Sequence, residues 1–260
     1  MPRSPMTGTD GTKLFEHDVL GRHRAEYYLD STFGYIWVDA PHWLDEAYDD
    51  AIALTDTGIM ARNLSTIPAV ATVMRANGLA EARGIDLGAG YGLFVRGIRD
   101  CGLDFHWSDA YAENLVARGF EADDGPFDVA VAFEVLEHLP DPLEFLRAAK
   151  ERYGLGTIFF SATCFDEARL PGEDWWYWAF ETGQHISFFS RRCLDHMAGS
   201  LGLTLVYLKG DLYAFTDRAD LRWPGRIARA LIRRKYRSAS LTQADYAAMK
   251  ARVRAEQDRR

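Results

Sequence analysis

Short apolar runs alternate with segments of helical spacing between Gly84 and Thr216. This alternation is typical of a parallel sheet whose strands are connected by covering helices. The last two runs are separated only by Lys209-Gly210, a gap that suits an antiparallel hairpin. We therefore predict an α/β fold with a doubly wound sheet of about seven strands, mostly parallel with an antiparallel last strand. The runs assigned to strands are Gly84–Leu87, Asp104–Trp107, Phe127–Phe133, Gly156–Ala162, Leu203–Leu208 and Asp211–Thr216.

The chain on either side of this region follows other patterns. Thr66–Gly78 has apolar residues three and four apart, which predicts an amphipathic helix with Pro68 in its first turn and Gly78 at its end. A second helix is expected to begin at Pro41. The predicted zones are a flexible leader at 1–13, an aromatic and helical N-terminal region at 14–80, the sheet domain at 81–216 and a basic helical tail at 217–260.

Composition narrows the class of protein. The chain has 260 residues, enough for one α/β domain with a smaller appendage. Its net charge of -8 argues against a protein that neutralises nucleic-acid phosphates. The 3 cysteines are widely spaced, which argues for a reducing compartment and against a disulfide framework. Because no signal peptide and no apolar run near about 20 residues is visible, we expect a cytoplasmic protein.

The most specific motif is the glycine-rich turn in GIDLGAGYGLF, which follows the first predicted strand. Gly88, Gly90 and Gly92 let the backbone turn sharply and approach a ligand closely. A nicotinamide dinucleotide site would favour a further glycine at the position of Leu93. With Asp86 two residues before the first glycine, the spacing instead resembles motif I of class I S-adenosylmethionine-dependent methyltransferases, which have a Rossmann-like sheet.

Two later segments fit the same resemblance. Asp109 follows the next strand, where a carboxylate can accept hydrogen bonds from ribose hydroxyls. The segment FDVAVAFEVLEHL resembles the fourth-strand segment of the same family. The resemblance implies S-adenosylmethionine as the cofactor. It places the glycines beside the methionine portion of this cofactor and Phe120-Glu121 near its adenine base. The residues it assigns to the cofactor are Asp86, Gly88, Gly90, Gly92, Asp109, Tyr111 and Phe133.

A cluster of candidate metal ligands ends that segment. Glu134, Glu137 and His138 are spaced i, i+3 and i+4, so a helix would place them on one face at the carboxyl end of the sheet. Carboxylates and imidazole suit Mg²⁺ or Mn²⁺, and His185 is a fourth candidate ligand. The set resembles the metal-dependent methyltransferases of small-RNA terminal ribose and of the ubiquinone pathway. Metal-free relatives carry similar acids that only cap a helix, so both alternatives stay open.

The histidines are also the candidate general bases. An aliphatic hydroxyl needs a base or a metal before it attacks a sulfonium methyl. His185 is the preferred base in the absence of a metal, and either His185 or His138 would collect the proton beside one. A buried histidine with a satisfied hydrogen bond is the structural alternative.

Two aromatic regions point to the acceptor. Trp175-Trp176-Tyr177-Trp178 cannot all face one core, so part of this run is expected to line a cleft and stack on sugars, or else to cover the sheet edge. The N-terminal segment from Glu26 to Ile36 resembles bacterial glycan-associated methyltransferases that open with a zinc ribbon. Leu29 and Thr32 replace the expected cysteines, so we expect no zinc and packing by aromatic residues instead. These are Tyr27, Phe33, Tyr35 and Trp37.

The tail is basic in an otherwise acidic chain. Ile227 and Leu231 form a thin apolar stripe among its arginines, which suits contact with an anionic lipid, a membrane surface or a phosphorylated sugar. A solvated helix or a homodimer contact is the alternative. The cationic residues are Arg218, Arg222, Arg226, Arg229, Arg233, Arg234, Lys235 and Arg237.

The combined hypothesis is an S-adenosylmethionine-dependent O-methyltransferase that acts on a hydroxyl of a sugar, oligosaccharide or glycolipid, with or without Mg²⁺ or Mn²⁺. One alternative is methylation of carbon, nitrogen or a phenolic oxygen of a small natural product. A second alternative is a protein that binds S-adenosylmethionine without catalysing a reaction.

Overall fold

The computed structural model describes residues 2–48 and 55–257, which form two β-sheets and seven α-helices. Residues 1, 49–54 and 258–260, which belong to the predicted leader, N-terminal region and tail, lie outside the described residues. The strands are β1 Thr12–Val19, β2 His23–Asp30, β3 Tyr35–Val38, β4 Gly84–Leu87, β5 Phe105–Ser108, β6 Val129–Ala132, β7 Thr157–Ser161, β8 Cys164–Phe165, β9 Ser187–Ser190, β10 Thr204–Lys209 and β11 Leu212–Thr216. The helices are α1 Leu44–Ala47, α2 Ile59–Ala76, α3 Leu93–Asp100, α4 Pro142–Tyr153, α5 Arg191–Ser200, α6 Arg226–Lys235 and α7 Thr242–Gln257.

The larger sheet confirms the predicted α/β fold. Its order is β10-β11-β7-β6-β4-β5, with parallel pairing from β5 to β7 and antiparallel pairing of β11 with both neighbours. The strand count is six rather than seven. Beyond β5 the chain contributes one parallel bridge, between Trp107 and Glu121, in place of a further strand. Its central strands β4 and β6 are buried on both faces, as expected for a sheet covered by helices.

The smaller sheet was not predicted. Its order is β1-β2-β3-β9-β8, so three N-terminal strands join two strands from the second half of the chain. Tyr27, Tyr35 and Trp37 are buried in its two faces, as the aromatic packing hypothesis requires, and Phe33 stacks on His196 with ring centroids 3.8 Å apart. The first three strands of the N-terminal region therefore pair antiparallel. The third of them extends the sheet, because Tyr35–Trp37 pairs with Ser187–Phe189 far along the chain.

Three boundaries differ from the sequence expectations. The predicted flexible leader packs on the smaller sheet, where Met6 is buried and Arg3 bridges to Asp10. The helix expected to begin at Pro41 begins at Leu44. Pro68 does not lie in a first turn, because α2 begins at Ile59 and places this proline in its interior.

The region predicted as a basic helical tail contains α6 and α7, which lie against α2 and α3 beside the larger sheet. Asp245 on α7 is buried and forms an ion pair with Arg99 at 2.8 Å. Arg96 of α3 donates to the same carboxylate at 2.8 Å. These bonds fix α7 beside the helix that follows the glycine turn. Among the described helices, none has the length and apolar character needed to cross a bilayer.

Candidate active site

A cavity of about 660 Å³ opens at the carboxyl ends of β4, β5 and β6, where ligands bind in open α/β sheets. Most of the predicted site residues line it. These are Asp86, Gly88, Gly90, Asp109, Tyr111, Phe133, Glu134, His138 and His185. Gly92 instead lies against Asn114 and Ala117, and Glu137 is buried behind the wall. The structure thus brings the two predicted groups, one for the cofactor and one for chemistry, to a single cavity.

The glycine turn between β4 and α3 depends on backbone that other residues rarely adopt. Gly88 has φ +78°, and a Cβ there would lie 2.6 Å from a methyl group of Val135. Gly90 has φ +52°, but a Cβ there would meet no heavy atom within 4 Å. The first glycine therefore allows the turn to pack on Val135, and the second leaves backbone facing open space.

Asp109 holds this turn in place. Its Oδ2 accepts from the Gly90 N–H at 2.8 Å, and its Oδ1 accepts from the N–H groups of Tyr111 and Ala112, each at 2.8 Å. Trp107 adds an indole N–H bond of 2.7 Å to the Gly90 carbonyl. The carboxylate is thereby oriented at the cavity wall between the glycine turn and the loop after β5.

Asp86 lies beneath the turn in an apolar environment. Burial, with a smaller contribution from the negative charge of Asp109, raises the pKa of the Asp86 carboxyl well above its usual range. The group is only 3% exposed and still reaches the cavity wall. A cationic ligand beside it would favour the charged carboxylate, so this position suits an ammonium group.

The acidic cluster does not form the helix face expected from its spacing. Glu134 has φ +55°, and a short 3₁₀ turn covers only Leu136–His138. The Ser161 hydroxyl accepts from the Glu134 N–H and donates to its Oε1, both at 2.8 Å. These bonds turn Glu134 towards Arg62, whose Nε is 3.6 Å from Oε2. Glu134 is therefore not part of the group whose ligand atoms lie close enough together to hold a metal.

Glu137, His138 and His185 do come together. One potential ligand atom from each lies within 4.8 Å of the others. Glu137 is 1% exposed; its Oε1 accepts from the Tyr177 hydroxyl at 2.9 Å, and its Oε2 has no partner among the described residues. A backbone bond from Ile186 to the Glu137 carbonyl, 2.8 Å long, keeps the segment of His185 beside this turn.

The two imidazoles have different surroundings. The Nδ1 of His185 is 2.7 Å from the Tyr177 carbonyl oxygen, so Nδ1 carries the hydrogen and Nε2 is left with a lone pair in the neutral form. His138 Nδ1 is 2.8 Å from the Tyr48 hydroxyl. Burial, assisted by the nearby His185, lowers the pKa of His138 to about 3. His138 is therefore neutral at physiological pH, as a metal ligand requires.

The aromatic run divides between cavity and core. Trp176 is 74% exposed and lines the cavity together with Tyr177. Trp178 is buried in the aromatic core of the smaller sheet, and Trp175 packs against it edge to face. Part of the run therefore lines a cleft, as expected, and another part belongs to the core of the smaller sheet.

Several cavity residues escaped sequence reasoning. Arg62 lies on α2 with Ile59, Asn63 and Thr66 at helical spacing, a partly polar face that the sequence could have revealed. Tyr48 bonds His138 and stacks on Tyr111 with ring centroids 5.4 Å apart, a contact without a local signal.

Phe120 and Glu121, by contrast, are not among the residues that line the cavity. Glu121 accepts from Asn114 and from the Gly119 N–H, so it closes its own loop. The Phe120 ring lies under the guanidinium of Arg99, 3.9 Å away. The structure therefore does not place Phe120 and Glu121 where they were expected to contact the adenine base of the cofactor.

Comparison with known proteins identifies the domain. A family model described as a methyltransferase domain matches residues 56–208. The ubiquinone biosynthesis O-methyltransferase of Caulobacter vibrioides is 47% identical over 62 residues, which cover 24% of this chain and 23% of that protein. The enzyme of the same name from Caulobacter sp. strain K31 is 42% identical over 62 residues, with the same coverages of 24% and 23%. The match thus spans about a quarter, 23%, of the length of these relatives.

Solved structures of methyltransferases are also similar. Magnesium protoporphyrin IX methyltransferase from Synechocystis PCC 6803 with bound SAH aligns at a TM-score of 0.47 and 14% identity, over 66% of this chain and 92% of that chain. An O-methyltransferase family protein from Burkholderia thailandensis aligns at a TM-score of 0.39 and 14% identity, over 67% of this chain and 66% of that chain. The family match extends over more than half of the chain and includes the glycine turn, Asp109 and the acidic cluster. The chain therefore belongs to the methyltransferase domain family, as a class I, S-adenosylmethionine-dependent methyltransferase domain.

Proposed function

We propose that this protein is an O-methyltransferase that acts on a hydroxyl of a sugar or glycan, next to a divalent cation held by Glu137, His138 and His185. The carrying observation is the buried Glu137 carboxylate: its Oε2 has no partner among the described residues, and one of its two oxygens lies within 4.8 Å of a ring nitrogen of His138 and of His185. A buried charged oxygen without a partner is costly. A cation would remove this cost, and the carboxylate and imidazole atoms are donors that Mg²⁺ and Mn²⁺ accept.

The proposed donor subsite is formed by the glycine turn and Asp109. The open backbone at Gly90 gives room for the methionine portion of S-adenosylmethionine, as the resemblance implies. Asp109 uses three of its roughly four acceptor positions on backbone N–H groups, which leaves about one for a ribose hydroxyl. Arg62 is the one lysine or arginine among the described lining residues, so its guanidinium is the proposed partner of the donor's carboxylate.

The methyl donor, the cation and the protein would each contribute a different part of the methyl transfer. The sulfonium supplies an activated methyl group, and a bound Mg²⁺ or Mn²⁺ would supply Lewis acidity that favours the alkoxide form of a hydroxyl. Glu137 would contribute carboxylate oxygen, while neutral His138 and the imidazole of His185 would contribute ring nitrogens. Tyr177 fixes both sides of this set, because its hydroxyl bonds Glu137 and its carbonyl bonds His185.

His185 is the proposed proton acceptor if no cation is bound. Its Nδ1–H bond to the Tyr177 carbonyl fixes the ring and leaves Nε2 free to accept a proton from a hydroxyl. Its ring stands perpendicular to that of His138, with centroids 4.9 Å apart. The same side chain thus serves as ligand or base, and the two roles differ in their response to chelation.

The class of acceptor is proposed from the aromatic and acidic side chains that line the cavity. Trp176 exposes most of its ring, and aromatic faces suit the C–H face of a sugar. Glu134 lies nearby with its oxygens bonded to Ser161 and close to Arg62, so it could accept from a second sugar hydroxyl. The O-methyltransferase names of the Caulobacter relatives support oxygen as the methylated atom.

The test compares acceptors that differ by one hydroxyl. Methyl glycosides with a vicinal diol and their monodeoxy analogues are incubated with S-adenosylmethionine, and product is measured with added Mn²⁺ and with EDTA. We expect turnover of the diol only, and a loss of at least about a hundredfold with EDTA or in Glu137→Gln. His17→Gln, on the outer strand of the smaller sheet, serves as the matched histidine control for His185→Gln.

Each outcome has a distinct meaning. If EDTA left turnover unchanged but His185→Gln abolished it, His185 would act as a general base and the proposal of a bound cation would be wrong. Methylation of phenols or amines, with all glycosides inert, would overturn the sugar acceptor. Calorimetric binding of the donor without turnover of any acceptor would indicate a non-catalytic protein.

A further inference from the structure

We infer that α6 docks this protein on the surface of an anionic phospholipid membrane. The segment from residue 221 to residue 244 contains seven basic and no acidic residues, in a chain of net charge -8. It begins after the region matched by the methyltransferase family, which ends at residue 208. The inference goes beyond the proposed function and does not depend on it.

The outer face of α6 combines apolar and basic side chains. Ile227 and Leu231, one helical turn apart, are 79% and 62% exposed. Arg234 follows on the same face, and Arg226 and Arg233 are exposed on its flank. A short apolar stripe bordered by cations is the pattern by which helices lie in the lipid headgroup region.

The inner face of the same helix is fixed to the domain. Ile232 and Tyr236 are half-buried, and the Arg75 guanidinium lies 4.4 Å from the Tyr236 ring centroid. Before the helix, Asn77 donates to the Arg222 carbonyl at 3.0 Å. After it, the Leu241 N–H donates to the Arg99 carbonyl at 3.0 Å. Because both ends are anchored, Ile227 and Leu231 are held outward rather than free to fold inward.

The basic side chains have no competing partners nearby. Within the described part of the chain, no carboxylate forms an ion pair with any of the seven cations of the segment. Arg229 and Lys235 instead approach the rings of Trp223 and Tyr236. Unpaired cations keep their full attraction for an anionic surface, where each contributes a factor of about five in binding.

The occupant is a lipid surface rather than nucleic acid, because the stripe contains Ile227 and Leu231. Phosphate backbones are bound by cations and hydrogen-bond donors, whereas apolar side chains gain when they enter the acyl boundary of a membrane. The apolar pair is too small an area to hold two copies of the chain stably together. The charge pattern and the apolar pair therefore favour the same partner.

The experiment measures co-sedimentation of the full chain with vesicles of phosphatidylcholine alone or with about one-third phosphatidylglycerol. We expect binding only to the anionic vesicles, weakened by salt. The variant R226Q/R233Q/R234Q should bind about a hundredfold more weakly, and I227S/L231S at least about tenfold more weakly. The matched control R118Q/R169Q/K250Q removes the same charge from exposed sites elsewhere and should bind as the parent does.

Thermal unfolding and donor binding are measured on every variant, and both should be unchanged, because all substituted side chains are exposed. If the control variant R118Q/R169Q/K250Q lost as much vesicle binding as the α6 variant, overall charge would explain the effect and the assignment to α6 would be wrong. Retained binding in I227S/L231S would remove the apolar contribution and with it the lipid assignment. Binding to a short DNA duplex but not to vesicles, or α6-dependent dimerisation in sedimentation velocity, would replace the membrane by another partner.

Discussion

Substitution of Glu137 by glutamine separates a metal ligand from a structural carboxylate. The amide can still accept from the Tyr177 hydroxyl through Oε1, so the 2.9 Å bond is kept. The substitution replaces the unpartnered Oε2 by an amide nitrogen and removes a negative charge from a side chain that is 1% exposed. A buried group without a partner costs about 1–3 kcal/mol, and more when it is charged.

The expected effect of Glu137→Gln on the free energy of unfolding therefore has opposite signs with and without a bound cation. Without metal, Glu137→Gln should raise the free energy of unfolding by about 1 kcal/mol, or about 2–4 °C in midpoint. With Mn²⁺ at about a hundred times its dissociation constant, the parent gains about 2.7 kcal/mol and the variant gains little. The variant is then the more stable protein in EDTA and the less stable one in Mn²⁺.

The assay is thermal and urea unfolding of both proteins in EDTA and in Mn²⁺, with Glu181→Gln as an exposed control from the aromatic loop. The control should follow the parent in both buffers. If Mn²⁺ stabilised the variant as much as the parent, Glu137 would not be a ligand. If the variant were less stable in EDTA, the carboxylate would have a structural partner, and the argument from its unpaired oxygen would fail.

Three further outcomes follow from the structure. Gly88→Ala should weaken donor binding in calorimetry more than Gly78→Ala does, because both have positive φ but only the first Cβ would lie 2.6 Å from another atom. Asp245→Asn should leave Arg99 partly unpaired, cost about 3 kcal/mol and speed hydrogen exchange in α7. The lowered pKa of His138, about 3, means that stability falls as pH decreases from about 6.5 towards 3. His138→Gln should flatten that slope by up to about 1.4 kcal/mol per pH unit in urea titrations.

The donor half of the site was predictable because its signals are local. A strand, a glycine turn and a following helix occupy one short segment, and Asp109 comes at the end of the next strand. Each residue type there is required by backbone geometry or by the ligand it faces. The strands of the larger sheet were found for a similar reason, since β4, β6, β7 and β11 are short apolar runs that are buried over most or all of their length.

The reacting half was less predictable because its contacts are distant in sequence. Spacing alone placed Glu134 with Glu137 on a helix, but the Glu134 N–H bonds Ser161, 27 residues later, and the backbone of Glu134 has a non-helical φ of +55°. Likewise, no local pattern joins Tyr48 to His138, 90 residues apart. Side-chain partners at such separations depend on how the two sheets meet, and a single sequence does not encode that meeting in any short pattern.

The strand β9 has a consequence for biosynthesis. It pairs with β3, and the Tyr35 hydroxyl is 2.7 Å from that of Ser187, 152 residues later. During translation the first three strands therefore emerge long before their partner and wait with an open hydrogen-bonding edge. His185 lies two residues before β9, so the nascent chain brings this histidine to the cavity only when the late strand closes the edge. Chaperone dependence and slow refolding are the properties that such an order of assembly confers.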